Sequence, residues 1–139
     1  MIQRIQTIWL LLAAIASLLT FRFSFYSGHK IGSTVLNEWT NLSASSSLLL
    51  VILASLTGIG SFVAIFLYKD RKTQLRVTIV ALILSLLSLI VYFTQVKNYE
   101  KGELSFTAIL AFIVPVFLFL AMRGIWKDQK LLKSLDRLR

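Results

Sequence analysis

The sequence predicts an all-α integral membrane fold, a four-helix antiparallel bundle continued by a basic amphipathic helix in the cytoplasm. Three observations predict it. Residues 5–21, 39–68, 77–96 and 104–122 contain no Asp, Glu, Lys, Arg or His, and a helix needs about 20 mostly apolar residues to cross hydrocarbon. The charged residues are confined to the short segments between and beyond these runs. Eleven of the fifteen Lys and Arg residues fall on one side of the implied topology and four on the other. The richer side faces the cytoplasm, so both termini are expected there. The spans use more than half of the 139 residues, which makes residues 1–139 one membrane domain. The chain has no cysteine, which excludes disulfides, thiolate metal sites and cysteine nucleophiles.

The first span is expected at about residues 5–25. Its one small-x-small candidate, Ala14-Ile15-Ala16, falls too early for a signal cleavage site, so the segment reads as an uncleaved anchor. Gln6, Ala13, Ser17 and Thr20 line up on one side. Arg22 lies about 26 Å along the helix from Ile5 at 1.5 Å per residue, at headgroup level. Phe21, Phe23, Phe25 and Tyr26 would form an interfacial aromatic collar around it.

The second span is expected at about 45–68, with a serine near its N-cap. One face collects Ser47, Ala54, Thr57, Gly58, Ser61, Ala64 and Tyr68. In the third, 77–96, Thr78, Ala81, Ser85, Ser88, Tyr92 and Gln95 recur at steps of three and four, which traces one stripe along a helix. The fourth, 104–122, carries Thr107, Ala111 and Pro115 on one side. Pro115 cannot donate to the Ala111 carbonyl, so a static bend is expected there. Small residues let backbones approach closely and hydroxyls bond between helices. Gly58, Ser61, Ser85, Ser88 and Pro115 are therefore expected packing positions, with a path for a neutral or lipidic substrate as the alternative use of the same stripes.

The outer segments, about 27–44 and 97–103, read as solvated loops. His29, Glu38, Glu100 and Glu103 are the outer groups that could do chemistry, and nothing brings them together. The expectation is a non-enzyme without cofactor or metal.

The cytoplasmic side carries the clearer functional signal. Residues 69–76 form a basic connector. Along residues 123–139, Ile125, Leu131, Leu132, Leu135 and Leu138 fall on one arc, and Lys127, Lys130, Lys133 and Arg137 on the other. Asp128 sits on the apolar arc, placed as for a helix N-terminus. The expected contact surface comprises Arg4, Lys69, Arg71, Lys72 and Arg76, with Lys127, Lys130, Leu131, Lys133, Leu135, Arg137 and Leu138 of the tail. Anionic lipid headgroups rank first as its partner and a membrane protein second. Nucleic acid ranks last, since Trp126 is the only interleaved aromatic.

Three stretches carry a resemblance: residues 1–7 with Trp9-Leu10-Leu11-Leu12-Ala13, the connector Phe66-Leu67-Tyr68-Lys69-Asp70-Arg71-Lys72 with Gln74 and Arg76, and Lys133-Ser134-Leu135-Asp136-Arg137-Leu138-Arg139. They resemble a family of small Bacteroidota membrane proteins catalogued as a domain of unknown function. The resemblance implies four spans in a Gram-negative inner membrane and supplies no activity. The expected function is a non-catalytic accessory or assembly subunit of an inner-membrane complex. The alternative is a small carrier or channel.

Overall fold

The computed structural model describes residues 2–32 and 39–138, with side chains from residue 5 onward. Glu38, Arg139 and the side chain of Arg4 lie outside the described residues.

Four helices make up most of the fold: α1 (Ile2–Leu19), α2 (Leu48–Phe66), α3 (Arg71–Val96) and α4 (Ile109–Asp136). α1 packs on α2 and α4, and α3 packs on the same two. Three of these segments, Leu48–Lys69, Arg71–Val96 and Phe106–Asp136, are long and apolar enough to cross a membrane. The apolar part of α1, Ile5–Leu19, is shorter.

The small residues point inward. Ala54, Thr57, Gly58, Ser61 and Ala64 are buried on α2, and Thr78, Ala81, Ser85 and Tyr92 on α3. Large aliphatic and aromatic side chains lie outside, with Ile59, Phe62, Ile90 and Val116 each more than half exposed. Water would disfavour such a surface, whereas hydrocarbon suits it, and close packing of small faces then holds the helices together. Where α1 meets α2, the Ser17 hydroxyl donates to the Ala54 carbonyl at 2.8 Å. Gly58 lies beside it, where an added Cβ would meet Ser17 Oγ at 3.5 Å. Three stripe hydroxyls of α2 and α3 bond within their own helices: Ser61 to Thr57, Ser85 to Leu82 and Ser88 to Ser85.

The structure corrects the all-α expectation. The outer segments form a three-stranded antiparallel sheet of order β2-β1-β3, with β1 at Tyr26–Lys30, β2 at Trp39–Leu42 and β3 at Tyr99–Leu104. Residues 99–104 are therefore not a solvated turn, and the physical reason is backbone satisfaction. Segments joining four helix ends in one place pair their amides with one another. The sheet is tied down by Phe25 N–H to the Leu42 carbonyl, Ser105 N–H to the Phe25 carbonyl and Ala44 N–H to the Thr20 carbonyl. Beneath it Phe25 is buried and stacks on Tyr92 with ring centroids 4.5 Å apart. Phe25 thus plugs the helix ends and does not join a lipid-facing collar.

Three boundaries also move. α1 stops at Leu19, six residues before the expected end of its span. α3 begins at Arg71, well ahead of residue 77, because Asp70 caps it: its carboxylate accepts from Thr73 N–H at 3.4 Å and from the Thr73 hydroxyl at 2.6 Å. The fourth span starts only at Ile109, and α4 then runs unbroken through Pro115 to Asp136. No separate tail helix exists among the described residues, and Asp128 is a mid-helix residue.

The junction of β1 and β3 is tight. The register shifts between Ser27 and His29, and Lys101 takes a left-handed φ of 49°. A Cβ on Gly102 would sit 2.5 Å from the Ser27 carbonyl oxygen and closer still to the Tyr26 ring. Gly102→Ala is therefore expected to destabilise the protein by about 1–3 kcal/mol, as overpacking does. Thermal unfolding in detergent, compared with wild type, measures it; an unchanged midpoint would contradict this sheet.

Candidate functional site

The sheet closes one end of the helices. The opposite end gathers the start of α1, the α2–α3 connector and the end of α4. The connector is one 3-10 turn, Leu67–Lys69, followed by the Asp70 cap. Gln74, one turn into α3, is buried and donates from Nε2 to the Ala64 carbonyl at 3.0 Å. That bond satisfies a carbonyl near the end of α2 and fixes the turn. α1 meets α4 closely, since a Cβ on Gly124 would come within 2.8 Å of Gln6 Cγ.

Across the seam between α3 and α4, Arg71 donates from a terminal guanidinium nitrogen to Asp128 at 2.7 Å. The Asp128 side chain is 8% exposed and that of Arg71 20%. A carboxylate this far from water is stable only when paired. Sequence reading took Arg71 as a free contact residue and Asp128 as a helix-start residue; the structure joins them into one structural pair.

Two cavities follow the same seam. One is an open cleft of about 650 Å³ between the first turns of α3 and the end of α4. Lys69, Arg71, Lys72, Arg76 and Lys133 line it, together with Asp70 and Asp136. The other is an apolar groove of about 470 Å³ lined by Leu75, Ile79, Phe119, Met122, Arg123 and Trp126. Leu75 borders both. Hydrogen bonds from Thr73, first from its side chain and then from its backbone, hold the Asp70 carboxyl below the usual carboxylate range.

Of the residues expected to form the contact surface, the cleft brings together five from two separate segments. Lys127, Lys130, Leu131, Leu135, Arg137 and Leu138 are not among its lining residues, and all six are exposed. Leu131 is 47%, Leu135 62% and Leu138 86% exposed. Sequence reading missed Gln129 and Asp136 in the cleft and the whole apolar groove. Their signal was present: Phe119, Met122, Arg123, Trp126, Gln129, Lys133 and Asp136 recur at helical steps. Splitting the segment at residue 122 hid it.

Between the stripe residues Ser17, Thr20, Thr57, Ser88 and Tyr92 the free space is about 10 Å³, about one water. At the sheet end the His29 ring packs at a tilt against Trp39 with centroids 5.0 Å apart and stands opposite Glu100 in the β1–β3 register. Among the described residues no group of three His, Cys, Asp or Glu side chains could hold a metal ion.

A family model described as "Domain of unknown function (DUF4293)" matches residues 2–138. No curated protein and no solved structure matches the chain.

Removing one member of a buried ion pair leaves the other uncompensated. Arg71→Ala is expected to cost about 3 kcal/mol, and Arg71→Met with Asp128→Leu to recover most of it. Denaturant unfolding in micelles measures both. A double variant no more stable than the single one would show that the pair does not act as a unit.

Proposed function

This chain belongs to the DUF4293 family, and because that family's description assigns no activity, we propose a function from the protein's own surfaces. It is a multi-pass, non-catalytic accessory or assembly subunit of an inner-membrane protein complex. Both termini lie in the cytoplasm, and the partner is held at the projecting end of α4.

The span count of four rests on where α1 begins and ends. Its first turns meet Gly124 of α4 and its last carbonyls meet Ala44 at the sheet. That it joins the same two ends as the longer helices supports counting it as a fourth span. The excess of Lys and Arg at the connector end supports a cytoplasmic position for that end.

The observation that carries the reading is the continuity of α4. Its 28 residues extend about 42 Å at 1.5 Å per residue, against a hydrocarbon core of about 30 Å. The last turns stand beyond the span, and residues 131–138 are all exposed. A helix lying flat on the bilayer would need a break between the span and the tail, and α4 has none. Leu131 and Leu135 are thus held off the membrane on an unbroken rod, with Leu138 in the turn that follows it, spaced as anchors for a partner helix or groove. This favours a protein over lipid as the partner of the leucine stripe. The small free space between the stripes and the self-bonded stripe hydroxyls weigh against the carrier alternative.

Replacing Leu131, Leu135 and Leu138 together with serine should remove a stoichiometric partner recovered by gentle detergent purification from native membranes. These positions are exposed, so the variant's unfolding midpoint should stay at the wild-type value. Recovery of the same partner by the triple variant, or purification of the wild type only as a monomer or homo-oligomer under several gentle conditions, would refute the proposal.

A further inference from the structure

One face of α4 changes character along its length. Phe119, Met122 and Trp126 line the apolar groove, and one turn further Gln129, Lys133 and Asp136 line the charged cleft. α3 runs in the matching sense: Ile79 borders the groove, Leu75 borders both, and Lys72 borders the cleft. The two cavities are therefore consecutive sections of one furrow between α3 and α4, carbon-lined toward the middle of the spans and cationic at their end.

The charges do not cancel. Five basic residues face two acidic ones in the cleft, leaving three net positive charges, or two once Arg71 is assigned to Asp128. Asp70 is occupied as the cap of α3 by Thr73. Gln129, which lines the cleft, has its Nε2 buried without a hydrogen-bond partner among the described residues. A buried amide donor without an acceptor is costly, and turning the Gln129 side chain into the cleft it lines would let an oxygen-rich ligand accept from it.

We propose that this furrow is a binding site for one anionic diacyl phospholipid. Its phosphate lies among Lys72, Arg76 and Lys133, and an acyl chain runs along Ile79, Phe119, Met122 and Trp126. The chemistry selects this occupant in two steps. The cationic section requires a negatively charged headgroup, and basic residues beside a leaflet attract such headgroups. The carbon-lined section, continuous with it through Leu75, requires a hydrocarbon chain attached to that headgroup. A free phosphate fills only the first section, and a neutral lipid matches only the second. The inference goes beyond the accessory role and uses a different surface from the leucine stripe.

The test is native mass spectrometry of the full-length protein in mild detergent. Dioleoyl phosphatidylglycerol, dioleoyl phosphatidylcholine and inorganic phosphate are each titrated in. The expected result is one phosphatidylglycerol retained per chain, preferred over phosphatidylcholine by about tenfold or more. Lys72→Gln, Arg76→Gln and Lys133→Gln together should erase that preference, since all three side chains are at the surface. Ile79→Trp, which fills the groove, should weaken retention of both lipids. Stoichiometric phosphatidylglycerol with brominated chains should quench Trp126 fluorescence in a Trp9→Phe, Trp39→Phe background.

Equal retention of the two lipids by the wild type would overturn the proposal, as would an undiminished preference in the triple Gln variant. Full competition by inorganic phosphate would make the cleft an anion site and also overturn it. The same holds if the triple Gln variant loses a protein partner but no lipid. The triple leucine variant keeps its lipid, so failure of the accessory reading leaves this one standing.

Discussion

Every polar group inside the hydrocarbon layer must find its partner within the protein, and that constraint organises the rest of the structure. Helices meet it for the backbone. It also decides what the side chains do. Ser61, Ser85 and Ser88 bond carbonyls of their own helices, which leaves their faces nearly apolar and thin enough for close approach. The Ser17–Ala54 bond instead stitches α1 to α2. The sheet follows from the same demand applied where the helices end. Three strand segments emerging together would expose many amides against aromatic side chains, and pairing them over Phe25 closes that end.

The same constraint explains why so much of the helical arrangement could be read from sequence and so little of its ends. Steps of three and four from Thr78 through Ala81, Ser85, Ser88 and Tyr92 to Gln95 are an image of burial: Thr78, Ala81, Ser85 and Tyr92 are buried, and Ser88 and Gln95 half-buried. Gly58 and Ser61 likewise sit inside α2. The sheet had no comparable signature. Tyr26–Lys30 reads Tyr-Ser-Gly-His-Lys and Tyr99–Leu104 reads Tyr-Glu-Lys-Gly-Glu-Leu, with neither an alternating apolar pattern nor a β-branched residue. Their pairing is imposed by the helices that bring them together, so tertiary context overrides propensity. The tail was misread for the opposite reason. A sharp change from apolar to charged residues after Met122 looks like a boundary, but helix propensity takes no notice of it. Gly124, a residue that often ends helices, stays helical because its missing side chain is what lets Gln6 approach.

Asp128 shows how charge can be a packing signal. On the apolar arc of an amphipathic helix a lone carboxylate looks misplaced. Its position is explained by Arg71, 57 residues earlier, at the first turn of a neighbouring helix. Long-range pairs of this kind leave no local pattern. What the sequence did mark was the general location: a basic connector and a basic tail on the same side, which the fold places across one cleft.

The two ends of the molecule differ in how they are held, and this bears on where it can respond to a ligand. At the sheet end, β1 pairs with both β2 and β3, so the α1–α2 and α3–α4 links are bound to each other through backbone hydrogen bonds. At the connector end the described contacts between the α2–α3 link and α4 run through side chains, chiefly the Arg71–Asp128 pair. A ladder of amides opens cooperatively, whereas side-chain contacts at a helix end open locally and at lower cost. The furrow lies along that seam, and Arg71 belongs to both the ion pair and the cleft. Paired to Asp128, Arg71 forms part of the cleft wall, so the contact that joins α3 to α4 also shapes the furrow between them.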